Sequence, residues 1–173
     1  MKTLQLAAAF CLGVTLQVLP VSATGQDTNP AVVMEWNELA LTNAPASAGP
    51  MVVRYYTIMH IAMFDAVNSI QRRYTPFLSE VPASSGASSV AAAAQAAHDV
   101  LVALIPGVGP KATFDAALNA RLATVPNGRA AQGVAIGKAA AARVLAWRAN
   151  DGIFITTTPP SFVLPLIPGL WQP

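Results

Sequence analysis

The segment Met51 to Ile70 constrains the fold more than any other part of the chain. Set on a helix at about 100° per residue, it puts Val52, Tyr56, Met59, Met63, Val67 and Ile70 on one side. Met51, Val53, Ile58, Ile61 and Phe64 occupy most of the rest, and only Arg54, Thr57, Asp65 and Asn68 fall on a narrow polar strip. A helix apolar nearly all round has to be buried on nearly all sides. The segment is therefore expected to be the central helix of a bundle. Its polar strip then needs partners, because an unpaired buried charge is strongly unfavourable.

The flanking sequence supplies the other helices. Asn29-Pro30 reads as a cap followed by proline at the first helical position, opening a helix that runs past Glu35, Trp36 and Leu39 to near Asn43. Arg72-Arg73-Tyr74-Thr75-Pro76 stops the second helix, since Pro76 disfavours helical geometry at Thr75. Residues 79–89 read as a polar linker, with Ser88 or Ser89 capping a third helix from Val90 to Ile105. Alanine, the best helix former, accounts for 34 residues of the chain and dominates this stretch. Pro-Gly-Val-Gly-Pro at 106–110 breaks it, Lys111 to Val125 form a fourth helix, and Pro126-Asn127-Gly128 reads as a turn. A fifth helix runs from Arg129 to Asn150, with Gly152 as a left-handed cap. In it Val134, Ile136, Val144, Leu145 and Trp147 share one half, and Gln132, Lys138 and Arg143 face away. Ile153 to Thr158 is the only β-prone run, and Pro159-Pro160 ends it. The expectation is an all-α chain: about five helices in an incomplete bundle, followed by a Pro-rich extended tail.

Both ends are distinctive. Lys2, an interrupted apolar run from Leu4 to Leu19, and Pro20-Val21-Ser22-Ala23 have the charged, apolar and small-residue regions of a secretory signal peptide. The run is too short and too broken to span a bilayer core of ~30 Å well. Residues 1–23 are thus expected to be a leader, residues 24–152 the helical bundle region, and residues 153–173 a Pro-rich extended segment. Cleavage after Ala23 removes Cys11, the only cysteine, so the exported protein, periplasmic or extracellular, would carry no disulfide. No membrane span remains after cleavage. Ten Lys and Arg scattered along the chain do not make a nucleic-acid surface.

The chemistry-bearing residues are few. His60 and Asp65 are five apart and His98-Asp99 are adjacent, whereas helical metal sites space their ligands three or four apart on one face. Neither pair, nor Glu35 with either, is expected to hold a metal, and both histidines read as structural. Asp65 and Asn68 are open to three roles: pairing with each other, capping a neighbouring helix end, or pairing with Arg54 of another copy. The chain has no nucleophile elbow and no phosphate loop. Trp36, Trp147 and Trp171 read as packing residues.

The stretches VVMEWNELAL (32–41), VRYYTIMHIAMFDAVNSIQRRYTPF (53–77), AAAAQAAHDVLVALIP (91–106) and AIGKAAAARVLAWRANDG (135–152) follow one another in an order and spacing that carry a resemblance. They resemble the N-terminal helical region of bacterial exported proteins related to vanadium-dependent haloperoxidases, in the type 2 phosphatidic acid phosphatase superfamily. The most specific part is His60, Ala62, Met63, Phe64, Asp65, Ala66, Val67 and Asn68, followed by Arg73, Tyr74, Pro76 and Phe77; the ending Pro-Gly-Leu-Trp-Gln-Pro is similar to the passage before the family's catalytic half. The resemblance implies that the oxyanion pocket is built late in the chain, from a Lys and Arg pair near an Arg-Pro dipeptide, a Ser-Gly-His, and an Arg with a final His. This sequence has neither an Arg-Pro dipeptide nor a Ser-Gly-His. No catalytic, cofactor-binding or metal residue is carried over, and vanadate is expected only for a complete family member. The expected function is the N-terminal scaffold half of a truncated or split haloperoxidase- or phosphatase-like protein, inactive alone. Its expected partner is a separate C-terminal catalytic half or a second copy. The alternative is a stand-alone exported helical module that binds a partner through an exposed apolar face.

Overall fold

Helix boundaries follow the punctuation of the sequence. The computed structural model describes residues 29–78 and 80–152. Within these residues the chain is all-α, with five helices and no strand. They are α1 (Ala31–Asn43), α2 (Met51–Gln71), α3 (Ser89–Leu104), α4 (Val108–Leu122) and α5 (Asn127–Arg148), with a single 3-10 turn at Ala46–Ala48. The leader at 1–23, the Pro-rich segment at 153–173 and its β-prone run lie outside the described residues.

Local chemistry explains most ends. Asn29 Oδ1 accepts the Ala31 N–H at 3.0 Å and Pro30 begins the helical backbone at φ −65°, which is the expected cap and first turn of α1. Ser88, not Ser89, caps α3: its Oγ accepts the Ala91 N–H at 3.0 Å. Gly152 adopts φ +81°, the expected left-handed conformation, but α5 has already ended at Arg148.

Three boundary expectations need correction. α4 begins at Val108, inside the Pro-Gly-Val-Gly-Pro stretch, because Pro110 sits in its first turn, where a missing N–H leaves no bond unmade. Gly107, at φ +133°, makes the break alone. Pro126-Asn127-Gly128 is not a free turn: the Pro126 carbonyl accepts the Ala130 N–H at 2.9 Å, so Asn127 and Gly128 already belong to α5. Residues 80–88 are not a loose linker either, since Val81 and Ala87 are buried.

The central helix is α3, not α2. Eleven of its side chains are buried, in an unbroken run from Ser89 to Ala97 and again at Val100 and Leu101, and it packs against all four of the other helices. The reason is size. Alanine lets neighbouring helices approach from every direction, which the bulky residues of α2 cannot do. α2 buries one broad face through Ile58, Met59, Ala62, Met63, Ala66 and Ile70, and leaves Val53 and Phe64 facing outward.

The buried face of α5 is likewise built of small residues: Ala130, Gly133, Gly137, Ala140 and Ala141, with Ile136 and Val144. Trp147, expected on the packed half, is 46 % exposed. A Cβ on Gly133 would lie 2.5 Å from the Ser88 carbonyl oxygen, and one on Gly137 would lie 2.5 Å from the Ala92 carbonyl oxygen. These two glycines set the spacing between α3 and α5. Among the described residues no helix is long and apolar enough to cross a membrane.

Candidate functional site

The polar strip of α2 resolves into a latch on the loop that follows it. Asp65 is 2 % exposed, and its two carboxylate oxygens accept the backbone N–H groups of Phe77 (2.7 Å) and Leu78 (3.0 Å). One turn later Asn68 donates from Nδ2 to the Tyr74 carbonyl at 2.7 Å and accepts from the Tyr74 and Arg73 N–H groups at 2.9 and 3.2 Å. Ser69 Oγ donates to the Asp65 carbonyl and accepts the Val81 N–H at 3.0 Å. Arg72, at φ +52°, makes the left-handed turn that brings the loop back over these acceptors. Asp65 and Asn68 take none of the three expected roles: they bind the backbone of the loop at 73–78 rather than each other, a neighbouring helix end or Arg54 of another copy. Arg54 pairs within the chain, donating from Nη2 to Asp151 at 2.8 Å and to the Arg148 carbonyl at the end of α5.

The two histidines occupy different environments. His60 lies on the wall of a cleft of about 410 Å3 where α1, α2 and the start of α3 meet. Val33, Met63, Phe64, Val67, Val90 and Ala93 give that cleft an apolar lining. His60 stacks on Tyr56 with ring centroids 6.4 Å apart, and burial holds its pKa below the ordinary value, so the imidazole is neutral at pH 7. A neutral ring in an apolar wall can exchange one hydrogen bond with a small, mostly apolar molecule.

His98 lies under the ring of Trp36, edge to face at 6.3 Å. Its Nδ1 is 2.7 Å from Asp99 Oδ1 and its Nε2 is 2.8 Å from Asp115 Oδ1. Gln95 donates to Asp99 and Lys111 pairs with Asp115, so the array ties α3 to α4. Glu35 accepts two hydrogen bonds from Arg121 and ties α1 to α4 in the same way. Burial pushes the pKa of His98 down, but the hydrogen bonds and charges of Asp99 and Asp115 outweigh it and hold the pKa above the ordinary value. Lys111 and then His98 hold Asp115 below the usual carboxylate range.

These shifts fix a pH dependence. A histidine whose pKa is higher folded than unfolded stabilises the fold fully below its unfolded pKa, about 6.5. That contribution is lost as the pH rises through the folded value. The stability that His98 contributes should therefore fall as the pH rises from about 6.5 to its folded pKa, whereas His60, lowered by burial, acts in the opposite sense below about 6.5. In His98→Gln the slope should flatten, with a loss of about 1–2 kcal/mol at pH 6. Thermal melts of both proteins across that range check this; parallel curves would show that the array does not titrate with folding.

The structure does not bring His60 and His98 into one cluster. Among the described residues no group of three His, Cys, Asp or Glu side chains is placed to hold a metal ion. The imidazole of His98 stands between its carboxylates, which leaves no shared point for an ion. Sequence reasoning missed the pairings of His98 with Asp115 and Glu35 with Arg121, which join residues far apart in the chain. The local signals in the array are the spacings of four in Gln95–Asp99 and Lys111–Asp115. Comparison of the chain with family models, with curated proteins and with solved structures gave no match.

Proposed function

We propose that this chain is the scaffold half of an exported protein related to vanadium-dependent haloperoxidases and type 2 phosphatidic acid phosphatases, not catalytic by itself. The observation that carries the reading is the use made of the motif residues. Asp65, Asn68 and Ser69 spend their polar atoms on the backbone of residues 73–81. A carboxylate and a carboxamide engaged in this way hold a loop; they are not free to transfer protons or bind an oxyanion. His98 is similarly engaged on both ring nitrogens. The leader-like residues 1–23 support export to the periplasm or the outside, and residues 24–173 contain neither an Arg-Pro nor a Ser-Gly-His.

The reading is tested first on the gene. Translation of the nucleotides after codon 173 should show a frame encoding an Arg-Pro dipeptide followed by Ser-Gly-His; an intergenic region without such a frame would overturn the split-protein reading. The purified chain with added vanadate should oxidise bromide no faster than a vanadate blank. Turnover above the blank that disappears in His60→Ala or His98→Ala would sink the scaffold role.

A second reading has one observation in its favour. Val53 is 68 % exposed, Phe77 58 % and Trp147 46 %, and all three line one groove. That face suits a stand-alone module that binds a partner.

A further inference from the structure

The groove between α2 and α5 begins where the described chain leaves off. It is lined by Val53, Thr57, Ile58 and Ile61 of α2, Phe77 of the latched loop, and Trp147 of α5, and it encloses about 430 Å3. Phe77 and Trp147 meet edge to face at 5.8 Å, and the Arg148 guanidinium covers the Trp147 ring at 5.0 Å. The two cations of the groove, Arg54 and Arg148, both hold Asp151. Asp151 balances one of these two charges and holds both guanidiniums within the chain, and the rest of the groove is an aromatic and aliphatic surface. Asp151 is anchored at its edge, one residue before Gly152 turns the backbone at φ +81°.

Residues 153–173 follow at once, and their chemistry complements the groove. The segment contains no charged residue. Pro165-Leu166-Ile167-Pro168 places two prolines three apart. In a polyproline II helix, which has three residues per turn, prolines spaced three apart share one edge. Pro-rich segments of this spacing dock on aromatic-lined grooves because their preformed backbone loses little entropy on binding. Reach is no obstacle: about 14 residues separate Asp151 from Pro165 and could extend to roughly 40 Å, whereas Trp147 precedes Asp151 by only four residues.

We propose that Pro165–Pro168 of this same chain seats on Trp147 and Phe77 and covers the α2–α5 groove. This inference does not rest on the family reading and stands or falls separately from it. The segment acts as an intramolecular strap: an apolar ligand tethered beside its own site binds at a high effective concentration. The exposed Val53, Phe77 and Trp147 are then one half of an internal contact.

Cysteine trapping in the full chain tests this. In a Cys11→Ser background, Val53→Cys is paired in turn with Phe154→Cys, Leu164→Cys, Leu166→Cys and Leu170→Cys, and each protein is oxidised at low concentration. Val53 is exposed, so its replacement spares the fold, and circular dichroism of each variant confirms it. The expected result is a disulfide within one chain at Leu164 or Leu166, forming at least tenfold faster than at Phe154. In a second measurement, Pro165→Ser with Pro168→Ser should raise the fluorescence of a bound anilinonaphthalene sulfonate severalfold. Equal rates at all four positions, or dimers whose yield rises with concentration, would overturn the proposal; the latter outcome would assign the groove to a second copy. Unchanged dye binding in the double-proline variant would also overturn it.

Discussion

Asp65→Ala should lower the unfolding free energy by about 3 kcal/mol, roughly 10 °C in melting temperature. The carboxylate is 2 % exposed and serves two backbone donors, those of Phe77 and Leu78, at 2.7 and 3.0 Å. A hydrogen bond to a charged group is worth about 1.5–3 kcal/mol, more than a neutral one, because the full charge on the acceptor strengthens the attraction. Alanine leaves both N–H groups without that acceptor. Asp65→Asn should recover only part of the loss, since one oxygen becomes an NH2 facing a backbone N–H. Ser69→Ala, which removes the acceptor of the single Val81 N–H, should cost about 1 kcal/mol. Chemical denaturation ranks the three. Hydrogen exchange at Phe77 and Leu78 then localises the effect: their amides should lose protection in Asp65→Ala well before the centre of α3 does. An Asp65→Ala protein within 0.5 kcal/mol of the parent would mean that the loop is held by something other than this latch.

The latch also shows where the sequence was informative and where it was not. The period of α2 put Asp65 and Asn68 on one strip and required that they find partners, both of which hold. It did not identify the partners, because backbone N–H groups carry no sequence label and Arg72 gives no sign of its left-handed turn. Helix ends marked by Asn29-Pro30 and Ser88 were legible because capping is a local reaction between neighbours. Contacts such as His98 with Asp115 were not, since they depend on how two helices meet. The misreading of α2 as the central helix has a related cause. Large apolar residues on every side of α2 point to it as the centre, yet that position goes to α3, the helix with the smallest side chains. Alanine brings little apolar area to bury but also little bulk, and close packing of several helices around one is a steric problem.

That steric reading predicts opposite outcomes for one chemical change at two glycines of α5. Gly128→Ala should stabilise the protein by about 0.5–1 kcal/mol, because alanine favours the helix and restricts the unfolded chain. Its Cβ would meet nothing within 4 Å, and its backbone angle suits any residue. Gly137→Ala receives the same propensity gain but should destabilise by about 2 kcal/mol net. There the Cβ would lie 2.5 Å from the Ala92 carbonyl oxygen and 2.7 Å from Gln95 Cβ. A carbonyl in the middle of a helix cannot rotate out of the way, so α3 and α5 must move apart, and every small-residue contact along them loosens together. Gly133→Ala should behave alike, for it meets the Ser88 oxygen and Ala91 Cβ at 2.5 and 2.8 Å. The double variant supplies the sharper test. If each alanine acts by separating the same two helices, the first substitution makes part of the room the second needs. The combined loss should then fall short of the sum of the singles by about 0.5 kcal/mol or more. Strict additivity in a double-mutant cycle would mean that each site relaxes locally and that no shared helix spacing exists. Stabilisation by Gly137→Ala would remove the close approach of α3 and α5 altogether, and with it the reason an alanine-rich helix occupies the centre of the bundle.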